Sequence, residues 1–129
     1  MKKISIFVLL LMSISACQES LEEMAIREAK TYTKKNCPQI MNQTQRMDSL
    51  TFNPISHTFG YHYLISGTMD TTAAFHEEYS RKLLIENVKN ATALKSYKDA
   101  GYNFEYVYHS QKQPGVILFS TVIRQDDYR

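Results

Sequence analysis

Phe59-Gly60-Tyr61-His62-Tyr63-Leu64-Ile65 and, further along, Tyr102-Asn103-Phe104-Glu105-Tyr106-Val107-Tyr108-His109 decide the fold of this chain. Each stretch alternates a large aromatic side chain with a smaller or more polar one, the period of a β-strand with one face turned to a core. The two runs echo each other as Phe-x-Tyr-x-Tyr. Each has a companion. Before the first, Leu50 and Phe52 alternate with Ser49 and Thr51, and Asn53-Pro54-Ile55-Ser56 supplies turn residues. After the second, Gln113-Pro114-Gly115 places proline and glycine where a type II turn needs them. Val116 to Ile123 follows, apolar on both faces, which predicts a central place in the sheet. Hairpins are therefore expected over 46–66 and 102–124.

Helical patterns flank these hairpins. Ser20-Leu21-Glu22-Glu23 reads as a capping box, with Ser20 as N-cap and Glu23 reaching back. Leu21, Met24, Ala25, Ala29 and Tyr32 form one stripe, and Asn36-Cys37-Pro38 ends the helix because a residue before proline avoids the α region. A long helical stretch is expected from the Asp70-Thr71-Thr72 cap onward. Phe75, Tyr79, Leu83, Leu84 and Val88 would mark its apolar side, and Glu78 with Lys82 makes an i, i+4 pair on the other. Asn90 interrupts it. A second segment runs from Thr92 to Ala100, with Leu94 and Tyr97 inward and Gly101 as the C′ residue. Gln125 to Arg129 reads as a polar, frayed tail. The expected fold is α+β: a four-stranded antiparallel sheet with helices packed on one face, in the order α-β-β-α-β-β.

Upstream of the first helix, Lys2-Lys3, the apolar run Ile4 to Met12 and the small residues before Cys17 form a secretory leader. The run is too short for a hydrocarbon core, which takes about 20 residues. Ile14-Ser15-Ala16-Cys17 resembles the bacterial lipobox. That resemblance implies cleavage after residue 16, a diacylglycerol (palmitate-type chains) on the Cys17 thiol, and acylated Cys17 as the mature amino terminus. The expected organisation is a lipoprotein signal peptide over 1–16 and a single α+β domain over 17–129, held to a lipid bilayer in the bacterial cell envelope, periplasmic or surface-facing. Only Gln18 and Glu19 separate the anchor from the first helix, so the domain is expected to sit close to the membrane.

The precursor carries 15 basic and 13 acidic side chains. Lys2 and Lys3 leave with the leader, and the mature domain balances. A neutral domain without a basic cluster excludes nucleic acid as a partner, since binding there requires phosphate-neutralising charge. With Cys17 consumed by lipid, Cys37 is left without a partner in the chain. It is expected as a buried thiol; an intermolecular bridge is the other option.

Pro38-x-x-Met41-Asn42-x-x-x-Arg46-Met47-Asp48-Ser49, followed by two Tyr-x-Tyr strands around a helix, resembles an uncharacterised family of small secreted or lipid-anchored bacterial proteins. The resemblance spans about residues 20–124 and is specific at Pro38 to Ser49. The chain departs from the pattern at Gln45, where threonine is expected; Thr44 is the displaced equivalent. The resemblance implies fold and compartment, and no activity.

Candidate chemistry is sparse. His76-Glu77-Glu78 lacks the second histidine of a zinc helix. His62 and His109 fall on the non-tyrosine faces of their strands and become neighbours if those strands pair. Two imidazoles do not make a structural zinc site, so no metal and no cofactor are expected. No nucleophile elbow or phosphate loop occurs in the chain. Asp48 is expected to accept hydrogen bonds from the backbone or Arg46. Tyr61, Tyr63, Tyr106 and Tyr108 share matching faces of two strands. Under helices they are core; on an open face they are a candidate binding surface, stiff and amphipathic. The function read from the sequence is a non-enzymatic binding or accessory lipoprotein with an envelope protein partner. The alternative is a small enzyme acting on envelope material through His62 or His109.

Overall fold

The structure, a computed structural model, describes residues 18–129. Cys17 and the leader before it lie outside the described residues. Among the described residues no helix is long and apolar enough to cross a membrane.

Helix α1 (Leu21–Asn36) starts at Ser20, whose Oγ accepts from the Glu23 amide at 3.1 Å. Ala25 and Ala29 are its buried positions, small enough to let the helix lie close over β2. The chain continues as β1 (Gln39–Asn42), β2 (Gln45–Asn53) and β3 (Thr58–Ile65). Short 3-10 turns lead to α2 (Glu77–Asn90) and α3 (Lys95–Asp99), followed by β4 (Asn103–Ser110), β5 (Ile117–Ile123) and a terminal α4 (Gln125–Tyr128).

The sheet has five strands in the order β1-β2-β3-β4-β5 and is mixed, not the antiparallel four-stranded sheet expected from the sequence. Both expected hairpins form: β2 pairs antiparallel with β3, and β4 with β5. They meet in parallel through β3 and β4. The reason is the connection between them. Strand β3 ends at one end of the sheet and α2 runs back along it. Its 14 residues rise about 21 Å at 1.5 Å each. The chain then enters β4 from the end where β3 began, which makes the two strands parallel. The extra strand is β1, a short edge strand of exposed residues immediately after Cys37-Pro38. At the other edge lies β5, which the apolar run Val116–Ile123 had suggested would be central.

Parallel pairing puts the two aromatic motifs in register. Phe59 faces Phe104, Tyr61 faces Tyr106 and Tyr63 faces Tyr108. The rings stack as a ladder at 6.0, 4.8 and 5.0 Å between centroids, each pair within 12° of parallel. Phe104, Ile123 and Val88 are the largest fully buried side chains. The core gathers Met47, Ile65, Leu84, Tyr97, Tyr102 and Phe119 around the ladder.

Several local expectations change. The stretch 71–100 does hold a long helix that ends at Asn90 and a short one after it, but the long helix starts later than expected: Thr72–Ala74 is a separate 3-10 turn, and α2 begins at Glu77. Asp70 caps no helix. Its carboxylate accepts from Ser110 Oγ at 2.6 Å and the Lys112 amide at 2.8 Å, tying the turn after β3 to the turn after β4. On α2, Leu84 and Val88 are buried, while Tyr79 and Leu83 are 63% and 49% exposed. The tail is ordered: Tyr128 Oη donates to the Tyr102 carbonyl at 2.9 Å, and Asp127 pairs with Arg81 at 2.8 Å.

Candidate functional site

The sheet has one covered face, one open face and two ends. On the covered face, Tyr63, Tyr106 and Tyr108 are buried and Tyr61 is packed against the same core. The structure therefore corrects the candidate binding face Tyr61, Tyr63, Tyr106 and Tyr108: these rings are the middle of the core. The physical reason is the helical layer, with α1 over β2, α2 over β5, and Phe75 against Tyr108 and Phe119. Burial pushes the phenols of Tyr61, Tyr106 and Tyr108 well up and that of Tyr63 up to about 12. All four stay neutral at any physiological pH and offer no phenolate for chemistry.

The open face carries the histidines. His62 of β3 and His109 of β4 come together as expected for paired strands: His62 Nδ1 lies 3.4 Å from His109 Nε2, with ring centroids 5.7 Å apart. Thr51 Oγ1 lies 3.3 Å from His62 Nε2 on the other side. Gly60 makes room for this, since a Cβ there would sit 2.6 Å from Thr51 Oγ1 and 3.0 Å from His62 Nε2. Burial, and then the neighbouring His109, hold the His62 imidazole below its ordinary value. The Thr51–His62–His109 row lies beside a shallow hollow lined by Asp48, Ser49, Leu64 and Gly115 among others. Among the described residues no carboxylate hydrogen-bonds either imidazole, and no three potential ligands converge on a metal position. The amides of His62 and His109 themselves belong to paired strands of the sheet. The row can donate and accept hydrogen bonds. Asp48 does what the sequence suggested, accepting from Arg46 Nε at 2.6 Å beside the bulge in β2.

Cys37 is a free, half-buried thiol packed against the core. Burial, followed by the charge of Asp48, pushes its thiol up, which keeps it protonated and a poor nucleophile.

The ends of the sheet differ from both faces. At the end where β3 and β4 finish and β5 begins, Ile40, Met41, Met69, Val116 and Ile117 are exposed, Ile40 at 73%. The turn hydrogen bonds from Ser66 to Thr44 and from Gln111 to Ile65 fix β1–β2, the β3 exit and the β4–β5 connection at that end. The opposite end holds Ser20, the β2–β3 turn and the start of β4.

A family model described as Domain of unknown function (DUF8479) matches residues 20–119. The chain belongs to that family. No curated protein matches it. Solved structures of similar fold include a pilotin from the Vibrio vulnificus type 2 secretion system, with a TM-score of 0.65 at 12% identity over 84% of this chain and 92% of that one. The type II secretion system pilotin AspS of Vibrio cholerae gives a TM-score of 0.61 at 13% identity, covering 89% and 98%. A candidate secreted protein of Pseudomonas aeruginosa gives 0.64 at 13% identity, covering 87% and 100%. At these identities the likeness establishes the fold.

The sequence reading had no feature for the apolar end. Ile40 and Met41 stand inside the family-like motif, where the sequence gives no sign of their exposure. Their exposure becomes visible only once β1 is known to be an edge strand. Val116 and Ile117 belong to the same apolar run as the buried Phe119 and Ile123, but Val116 sits in the turn before β5 and Ile117 is the first residue of that edge strand, which leaves both outside the core.

Proposed function

We propose that this DUF8479 member is a non-enzymatic envelope lipoprotein, anchored through acylated Cys17, whose membrane-distal end holds an envelope protein partner. The reading rests above all on the exposed apolar residues Ile40, Met41, Met69, Val116 and Ile117, which lie along the same end of the sheet, opposite Ser20, from edge strand β1 across to edge strand β5. An anchor at residue 17 leaves that end facing away from the bilayer. Several large apolar side chains left in solvent at one end of a domain are a surface that a partner can cover. The fold shared with two type II secretion pilotins supports an accessory role in assembling or positioning another envelope protein. We further propose that Pro38 to Ser49 is a family signature because it builds this end: β1, the Asn42–Thr44 turn and the Arg46–Asp48 pair at the bulge.

A photo-crosslinking residue at Ile117 in the lipidated protein, expressed in its own envelope, tests this. The expected result is a discrete crosslink to one envelope protein, lost in an Ile40→Asp variant that melts at the wild-type temperature. A discrete crosslink from Lys30 on the outer side of α1, with none from position 117, overturns it.

A further inference from the structure

The end of the molecule that carries the anchor has its own exposed apolar side chain. Ile55, at the tip of the β2–β3 turn, is 94% exposed and is the most exposed of the large hydrophobic residues among the described residues. The turn is held on every side. Asn53 Oδ1 accepts from the Ile55 amide at 2.9 Å and the Ser56 amide at 3.3 Å. Asn103 Nδ2 donates to the Ser56 carbonyl at 3.1 Å, and the Asn103 amide donates to the His57 carbonyl at 2.9 Å. His57, at φ 50°, stacks on Tyr102 at 4.8 Å. Position 55 thus needs no apolar side chain for folding, yet a fixed turn presents isoleucine to solvent.

The same turn adjoins the start of α1. His57 Nε2 lies 3.6 Å from Glu22 Oε2, in the first turn of the helix. Glu19 is folded back by Arg27, with contacts of 2.9 and 3.0 Å. From Cys17 to Ser20 the chain can span at most about 11 Å. A diacylglycerol on Cys17 therefore holds this end at the headgroup layer. The charged groups beside it are Glu22, against His57, and the Glu19–Arg27 pair, so contact there is apolar rather than electrostatic.

We propose that the Asn53–His57 turn is a second membrane contact, with Ile55 inserted into the lipid interface beside the acylated amino terminus. This rests on the anchoring reading above and adds an orientation to it. Two contacts, lipid and turn, define how the domain stands on the bilayer; one lipid alone leaves it free to swivel. Strands β2 to β5 then rise away from the membrane, and the apolar end carrying Ile40 and Ile117 points outward.

The test uses the full acylated protein in vesicles of phosphatidylethanolamine and phosphatidylglycerol. An Ile55→Cys variant in a Cys37→Ala background takes an environment-sensitive fluorophore at position 55, since acylation blocks the Cys17 thiol. Ile40→Cys in the same background is the control. The expected result is a blue shift at position 55 and quenching by lipids spin-labelled near the headgroup, with neither at position 40. A protein that floats with the vesicles and shows acylated Cys17 by mass spectrometry, yet reports water at position 55, overturns this inference and leaves the anchoring standing. A blue shift that spin-labelled lipids do not quench, and that grows with protein density, assigns Ile55 to a second copy of the chain and also overturns it. A processed protein with an unacylated Cys17 removes the anchoring and this inference together.

Discussion

The two faces of the sheet are written by the same alternation and end in opposite states. In β4, Phe104, Tyr106 and Tyr108 point under the helices, while Asn103, Glu105 and His109 point to the open side. On the covered side the residues stack in register as an aromatic ladder. On the open side the pairing across β3 and β4 brings two imidazoles together and little else. The difference locates stability. The aromatic side chains that look most like a binding surface hold the protein together. The large hydrophobic side chains left in solvent, Ile40, Ile55 and Ile117 among them, lie instead toward the ends of the strands.

The comparison breaks most sharply at Phe104. Its side chain is wholly buried, between Phe59 and Tyr128. Phe104→Ala should cost about 3–5 kcal/mol in urea unfolding, by lost transfer energy and an unfilled cavity. Its chain neighbour Glu105, on the open face, should change stability by less than about 0.5 kcal/mol when replaced by alanine. Equal losses at the two positions would mean that the faces are not distinguished as described.

Helix α2 offers the same contrast at adjacent residues. Leu84 is buried and Leu83 is half exposed. Leu84→Ala should cost about 2–5 kcal/mol and Leu83→Ala less than about 0.5 kcal/mol, measured as shifts in the unfolding midpoint at constant slope. The sequence could not tell these two apart. Phe75, Tyr79 and Leu83 share an i, i+4 spacing as good as that of Leu84 and Val88, and periodicity alone accepts both sets. Phe75 precedes the helix, in a turn, so the spacing that joined it to Tyr79 was accidental.

Other features were legible in part. The hairpins, the cap at Ser20 and the meeting of His62 with His109 follow from alternation and turn residues. The echo of Phe59-x-Tyr61-x-Tyr63 in Phe104-x-Tyr106-x-Tyr108 was visible, and its meaning was register: like stacks on like when the two strands run parallel. The parallel junction could have been deduced as well. A helix as long as a strand returns the chain to its starting end, and the next strand must then run parallel. Strand β1 gave no signal, because Gln39 to Asn42 neither alternates nor carries a β-branched run. Its pairing with β2 is a tertiary contact rather than a local preference. The tail was misread for the same reason, since Tyr128 finds its partners at Tyr102 and Lys98.

A smaller effect is expected where α2 is fastened to the β5 edge. Arg81 Nη1 donates to Thr121 Oγ1 at 2.6 Å and to the Val122 carbonyl at 3.0 Å, while Nη2 pairs with Asp127. The guanidinium is about a third exposed, so solvent screening reduces the ion-pair share. Arg81→Ala should cost about 1–2 kcal/mol, chiefly through hydrogen bonds left unmade. Because Asp127 also accepts from the Arg124 amide, the variant should loosen α4 before the sheet. Faster amide exchange at residues 125–129 than at β5 is the signature; uniform loosening would assign Arg81 to the core instead.

The open face should contribute the smallest effect, and one with a sign. Burial first, and then the charge of His109 beside it, hold the His62 imidazole below its ordinary value of 6.5. The folded protein therefore disfavours the proton that the unfolded chain accepts. Between the folded and unfolded values the unfolded state binds more protons, so stability rises with pH across that window. The contribution is fully present above about pH 6.5 and is lost as pH falls through the folded value of His62. His62 is half exposed, and the effect should stay below about 1 kcal/mol after screening. His62→Gln keeps a hydrogen-bonding side chain on β3 and removes the titration. Its melting temperature should fall less than that of wild type between about pH 7.5 and pH 5. Carboxylates held low in the folded protein, such as Asp70, weaken it in the same direction at lower pH, so the informative quantity is the difference between the two curves. If that difference is flat across the window, the two imidazoles share the open face without sensing each other.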